Sequence, residues 1–250
     1  MSMLKVTDLS VKYGVIPALR GISFEVNQGE VIALIGANGA GKTTVFNLLT
    51  GEYKPNEGVI RLEDRDITGL STIEINKAGI ARTFQISKPL RGLTIFDNIV
   101  AAAGVQDYTG IGSYFHRSHT KEVEDKVEAI IHETGLAEVA NKKASDVSLG
   151  YLRRLEIARV LVTEPKLIML DEPCAGLSNF AINEITELIF KLKEQNRSIV
   201  LIEHNLPLTM RVCDRITVLS YGKKICEGTP EYVKNDEQVI EAYLGKEDED

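Results

Sequence analysis

The chain of 250 residues has only three cysteines, no basic excess, no apolar run long enough to cross a bilayer and no internal repeat. Cys174, Cys213 and Cys226 are odd in number and form no C-x-x-C pair or ligand-like cluster. Neither a disulfide framework nor a zinc site is therefore expected, and a reduced, metal-free cytosolic protein is the simplest account. The formal net charge of −7 leaves no cationic surplus to displace counterions from nucleic acid, so any phosphate contact must be local. The apolar runs VIALI (31–35) and IVAAA (99–103) fall far short of the ~18 residues of a membrane span. Contact with a membrane is expected to go through a partner. The opening MSMLKVTDLSVKYG lacks the basic and apolar regions of a secretory signal, and the mature chain is expected to begin there.

What is present reads as alternating strands and helices in a chain long enough to bury a proper core. Ile22, Phe24 and Val26 alternate with Ser23, Glu25 and Asn27, the pattern of a half-buried strand. VIALI, LIML (167–170) and SIVLIE (198–203) are short apolar runs, fitting strands covered on both faces. Helices are predicted for VFNLLT, closed by Gly51, for a stripe of Val123, Val127, Ile130, Ile131 and Thr134 stopped by Gly135, and for Leu152, Leu155, Ala158 and Leu161 ahead of Pro165. Another is outlined by Ile185, Leu188, Ile189 and Leu192. ITVL and KKIC flank Ser220, Tyr221 and Gly222 as a hairpin, and Thr229-Pro230 offers an N-cap and first helical residue. VIRL (59–62) suggests a further strand, residues 70–145 read as a more helical, polar, separate layer, the stretch before residue 120 as a loose insertion, and KEDED as a solvated tail. Strand alternating with helix implies a parallel α/β sheet.

Two stretches carry chemistry. GANGAGKT (36–43) fits G-x-x-x-x-G-K-[ST] and stands between an apolar strand and a helix, the context its mechanism requires. Gly36, Gly39 and Gly41 let successive N–H groups face one anion at a helix N-terminus. Lys42 is placed to reach β- and γ-phosphates and the Thr43 hydroxyl to bind magnesium, with Thr44 a further phosphate contact. In LIMLDEP, Asp171 and Glu172 leave the end of a buried strand, where ligands bind in parallel α/β sheets. Asp171 suits magnesium, and Glu172 suits polarising the water that attacks the γ-phosphate. Taken singly, Tyr13 could stack on a purine but a strand-end tyrosine is more often simple packing, His204 could donate to a γ-phosphate but a lone histidine is usually structural, and Gln85 carries almost no signal.

With these motifs in place, the sequence resembles the ATP-binding cassette (ABC) ATPases of membrane transporters over nearly its whole length. GANGAGKT matches the Walker A loop, whose Gly36, Asn38, Gly39, Ala40, Gly41, Lys42, Thr43 and Thr44 are implied to bind ATP, and LIMLDEP matches Walker B. The resemblance puts Gln85 of RTFQ at the loop that senses magnesium and the membrane subunits, with Thr43 and Asp171 as the other magnesium contacts. His204 of IEHN falls at the switch histidine, Glu172, His204 and Gln85 become the catalytic set, and Tyr13 falls where an aromatic stacks on adenine. In AGLSNF, Ser178 replaces the usual aspartate of the D-loop. The signature, usually LSGGQ, corresponds to Val147-Ser148-Leu149-Gly150-Tyr151, where Ser148 and Gly150 match and would cap ATP bound to another subunit.

The implied fold is an α/β P-loop NTPase core with a mostly parallel sheet, an antiparallel β subdomain and an α-helical subdomain. Residues 1–84 and 163–250 would form the core and β subdomain, and 85–162 the helical subdomain with the signature. The implied activity is magnesium-dependent ATP hydrolysis. The partners are a second ABC ATPase subunit, identical or paralogous, integral membrane permease subunits and, indirectly, an extracytoplasmic substrate-binding protein, with no nucleic acid. The location is peripheral, on the cytoplasmic face of a prokaryotic cell membrane. GIARTFQ, the insertion at 104–120, RRLEIAR, DEPCAGLS, LIEHN and VIEAYLG are most similar to branched-chain amino-acid importers of the Liv type. Urea and amide importers and the lipopolysaccharide-export ATPase share parts of this pattern. A soluble regulatory or translation-type cassette protein is a competing class, but such proteins carry two cassettes or a coiled-coil insertion, and neither stands in this sequence. A module that binds nucleotide without turnover is disfavoured by Lys42, Asp171, Glu172 and His204.

Overall fold

A computed structural model describes residues 2–83, 89–104 and 121–244. Strand β1 (Ser2–Tyr13) turns at Gly14 and Val15 into β2 (Ile16–Asn27), with Tyr13 opposite Ile16. The predicted turn after Asn27 forms, Glu30 N–H donating to the Asn27 carbonyl at 3.1 Å, and leads into β3 (Val31–Ile35). Helix α1 (Lys42–Leu49) starts earlier than the apolar pattern implied. β4 (Glu57–Leu62), β5 (Arg65–Asp66), α2 (Thr72–Ala78) and β6 (Ile80–Arg82) follow. An antiparallel sheet of order β2-β1-β4-β5 results.

The described helices of the next stretch are α3 (Ile95–Gly104), α4 (Lys121–Glu133) and α5 (Leu149–Leu161). The insertion between the first two lies outside the described residues, as does the acidic tail. Then come β7 (Leu167–Asp171), α6 (Asn179–Glu194), β8 (Ser198–Ile202), α7 (Leu206–Val212), β9 (Arg215–Ser220), β10 (Lys223–Gly228), α8 (Pro230–Lys234) and α9 (Glu237–Leu244). The second sheet has the order β10-β9-β3-β8-β7-β6, parallel from β9 to β6 with β10 antiparallel at one edge. β6 corrects the view of residues 70–145 as a separate layer. These three residues extend the parallel sheet through Ile80↔Leu167 and Arg82↔Met169.

Successive side chains of a strand point to opposite faces, and here both faces are covered. Ile32 and Leu34 of β3 pack with Phe46 and Leu49 of α1 and with Leu4, Val6 and Ile60 of the antiparallel sheet. Val31, Ala33 and Ile35 pack on the other side with Leu155, Ile185 and Ile189 from the helices. The parallel sheet is thus the middle layer, which is why its strands are continuous apolar runs. The hairpin between β9 and β10 closes at Tyr221 (φ 46°) and Gly222 (φ 73°), the double left-handed turn that two-residue hairpins favour. Thr229 caps α8 as its sequence suggested, accepting from Tyr232 N–H.

Candidate nucleotide-binding site

β3 delivers the chain into the glycine-rich loop at the carboxyl end of the sheet. Gly36 is required by crowding: a Cβ there would lie 2.2 Å from the Leu219 carbonyl and 2.9 Å from the Ala40 Cβ. Gly41 sits at φ 105°, a conformation closed to other residues, and is the N-cap from which Lys42 opens α1. The loop is braced from behind, because Gly222 N–H donates to the Ala40 carbonyl at 3.0 Å and Arg20 N–H donates to the Gly222 carbonyl at 2.8 Å. The buried Lys42 ammonium donates to the Gly36 carbonyl at 2.7 Å and the Ala37 carbonyl at 3.1 Å. Burial holds its pKa below the ordinary lysine range, partly offset by the negative fields of Glu172 and Asp171. A γ-phosphate offers such an ammonium stronger acceptors than two carbonyls.

Asp171 ends β7 almost fully buried. Its Oδ2 accepts from Arg82 Nη2 at 2.6 Å, and its N–H donates to Thr83 Oγ1 at 3.0 Å. The other end of the Arg82 fork reaches Asn47 Oδ1 at 2.7 Å and Glu52 Oε1 at 3.1 Å, with the guanidinium 5.4 Å from the Phe46 ring centre. The next residue, Glu172, lies at φ 47°, a left-handed conformation that costs a non-glycine residue about 1–3 kcal/mol. Its N–H is held by the Ile202 carbonyl at 2.9 Å. The turn sends the Glu172 side chain into a cleft of about 400 Å³ lined by residues 38–44 of the loop, Ile16, Arg20 and Tyr221. His204 Nε2 and Glu172 Oε1 are 3.2 Å apart. Adjacent β7 and β8 thus bring Glu172 and His204, 32 residues apart in sequence, to one side of the phosphate loop.

The other predicted residues are placed less uniformly. Asn38, Gly39 and Thr43 are exposed on the loop, Thr44 is half-buried and Ala40 is buried. Tyr13 is exposed at the end of β1, its ring edge-on to Tyr53 with centres 5.4 Å apart. It is not among the residues lining the cleft, although Ile16 across the hairpin is. Gln85 lies outside the described residues. Ser148 is the N-cap of α5, yet its hydroxyl makes no bond to that helix. Neither Ser148 nor Gly150 lines the cleft of its own chain. The two departures from the signature have packing roles: Leu149 lies against Gly176, and Tyr151 bonds Glu138 under the Arg154 guanidinium. Ser178 caps α6, accepting from Ala181 N–H at 3.4 Å. Arg82 and Thr83 stand in RTFQ and Glu203 in IEHN, yet no role was implied for them or for Tyr53, because Asp171, the Cys174 N–H and Tyr13, with which they meet, are distant in sequence.

A glycine loop between a buried strand and a helix, with a lysine inside it and two acids at the end of β7, the next strand but one in the sheet, defines a P-loop nucleotide-binding protein of the α/β class. The chain matches the ABC transporter family model over residues 19–175 and a branched-chain amino acid ATP-binding cassette transporter model over residues 223–249. It is 42% identical over 251 residues to the high-affinity branched-chain amino acid transport ATP-binding protein LivG of Salmonella typhimurium, covering 98% of each chain. It is similar to a nucleotide-free ATP-binding cassette from an ABC transporter, with a TM-score of 0.88, 31% identity and coverage of 98% of this chain and 100% of that one. A dimeric post-hydrolysis cassette bound to ADP and Pi matches with a TM-score of 0.77, 25% identity and coverage of 91% and 99%. The chain belongs to the ABC transporter family, an ATP-binding and ATP-hydrolysing class. Among the described residues no helix is long and apolar enough to cross a membrane.

Proposed function

We propose that this chain is the ATP-hydrolysing subunit of a branched-chain amino-acid importer, working at the cytoplasmic face of a prokaryotic cell membrane beneath its permease subunits. The cargo reading is supported by the likeness to LivG along 98% of both chains and by the family match at residues 223–249. The hydrolytic reading is carried by one observation: Glu172 lines the phosphate cleft while His204 meets its carboxylate.

In this reading the loop from Gly36 to Thr44 wraps the phosphates with its amides, and Lys42 leaves the Gly36 and Ala37 carbonyls for the γ-phosphate. Tyr13 stacks on adenine. Glu172 takes up the proton of the attacking water as general base, and His204 holds Glu172 and donates toward the γ-phosphate. Magnesium suits the donors here: the Thr43 hydroxyl, the Asp171 carboxylate and Gln85 are hard oxygen ligands. Among the described residues no group of three or more metal-ligating side chains converges, and an ion shared with phosphates needs only one or two carboxylates. When bound, it neutralises charge on the β- and γ-phosphates. Ser148 and Gly150 complete the site of a second cassette, identical or paralogous, and that cassette completes this one. Residues 85–162 act as the helical subdomain against the permease, and 1–84 with 163–250 as the core and β subdomain. A substrate-binding protein outside the membrane hands cargo to the permease.

Glu172→Gln should retain ATP binding and lower turnover by about 100-fold or more, the span of a lost general base. Turnover at the wild-type rate removes Glu172 from its role. Deleting the chain from its host should abolish uptake of leucine, isoleucine and valine. Loss of urea uptake instead reassigns the cargo.

A further inference from the structure

Glu203 directly follows β8 and is 3% exposed. Its carboxylate accepts three backbone N–H groups: Oε1 takes Cys174 N–H at 2.9 Å, and Oε2 takes His204 N–H and Asn205 N–H, each at 2.9 Å. One oxygen therefore holds the turn after β7 and the other the turn after β8. The first turn carries Glu172, two residues before Cys174, and the second carries His204. The backbone repeats the link, since Ile202 accepts the Glu172 N–H at 2.9 Å. The Cys174 thiol shares the Glu203 carboxylate, and burial followed by this negative neighbour pushes the thiol above its ordinary range.

We propose that Glu203 is a positioning residue that fastens the Glu172 turn and the His204 turn into one unit and so fixes the 3.2 Å approach of the two side chains. The inference rests on the reading of Glu172 and His204 as the hydrolytic pair. Ionised acceptors make hydrogen bonds roughly twice as strong as neutral ones, and a carboxylate offers two oxygens that only accept. A glutamine offers one, and its NH₂ group would face an N–H on one of the two turns. That turn must come loose. An aspartate keeps the charge but is one methylene shorter, so it can serve the adjacent His204 and Asn205 amides and cannot also span to Cys174. Neither change touches the phosphate loop or the Asp171–Arg82 pair.

The test is steady-state ATP hydrolysis by the purified transporter carrying Glu203→Gln or Glu203→Asp, with nucleotide affinity measured alongside and Glu172→Gln as control. Both Glu203 variants should lose kcat about tenfold to 100-fold, the effect of misplacing a reacting group by a fraction of an ångström to 1 Å, while KM for ATP and ATP affinity stay within about twofold. Wild-type kcat in either variant overturns the proposal. So does a loss of kcat matched by an equal loss of affinity, or a failure of both variants to bind ATP, because Glu203 would then serve the fold at large. If Glu172→Gln itself hydrolyses ATP at the wild-type rate, the reading of the hydrolytic pair fails first. If that control is inactive and the Glu203 variants are fully active, only the positioning role falls.

Discussion

Arg82 and Asp171 meet at 2.6 Å with side chains 6% and 1% exposed. At this depth the pair is a matter of avoiding loss more than of gain, since removing one partner of a buried ion pair strands the other charge. Arg82→Met should therefore destabilise the nucleotide-free protein by about 3–5 kcal/mol, measured by urea denaturation. A change below about 1 kcal/mol, the scale of an exposed pair, means that water reaches Asp171. Legibility at this scale follows sequence distance. The eight residues of GANGAGKT form one local constellation whose glycines, lysine and threonine have a single joint use, so they can be found by reading along the chain. Arg82 lies 89 residues from Asp171, and Glu203 lies 29 from Cys174. Their partners become neighbours only once β6, β7 and β8 lie side by side, and a lone arginine or glutamate carries no signal of that.

Among the elements, α5 packs the fold and, in the proposed function, also presents Ser148 and Gly150 to a second cassette. Leu155, Ala158 and Leu161 are fully buried against the sheet, and complete burial of a leucine side chain contributes about 1.5–3 kcal/mol. Its mouth is different: Ser148 makes no side-chain cap bond to the helix, and Gly150 passes so close to α6 that a Cβ would sit 3.3 Å from the Ala181 Cβ. Ser148→Ala with Gly150→Asp should leave ATP binding by this chain's own loop within about twofold and reduce hydrolysis by the assembled transporter about tenfold or more, by loss of a phosphate-facing helix terminus and the addition of a negative charge. Unchanged hydrolysis would make α5 a packing helix alone. The buried strands β3, β7 and β8 were legible as apolar runs, and α4 and α6 as stripes of period 3.6. β1 was not, because Asp8 at φ 48° and register shifts between Val6 and Leu9 and between Leu9 and Val11 break its alternation. β6 has three residues, too few for any period.

Across the whole molecule, a parallel sheet is sandwiched between an antiparallel sheet with α1 on one face and a helical layer on the other, and the nucleotide cleft opens at the carboxyl ends of the strands. Alternating strands and helices made that class legible in the sequence. The strand order β10-β9-β3-β8-β7-β6 was not, since it depends on which long-range pairings bury most apolar surface. The cleft holds Lys42, Thr43 and Glu172 but neither Ser148 nor Gly150, and in the proposed function a second cassette supplies that pair. The most direct test is the solution mass of Glu172→Gln by light scattering, alone and mixed with the transporter's second cassette, with and without saturating ATP. ATP should raise the mass in at least one of these samples from the 27.6 kDa of one chain to that of a two-cassette dimer, and the Ser148→Ala and Gly150→Asp changes should prevent it. A mass that stays at one chain in both samples at saturating ATP contradicts the shared site.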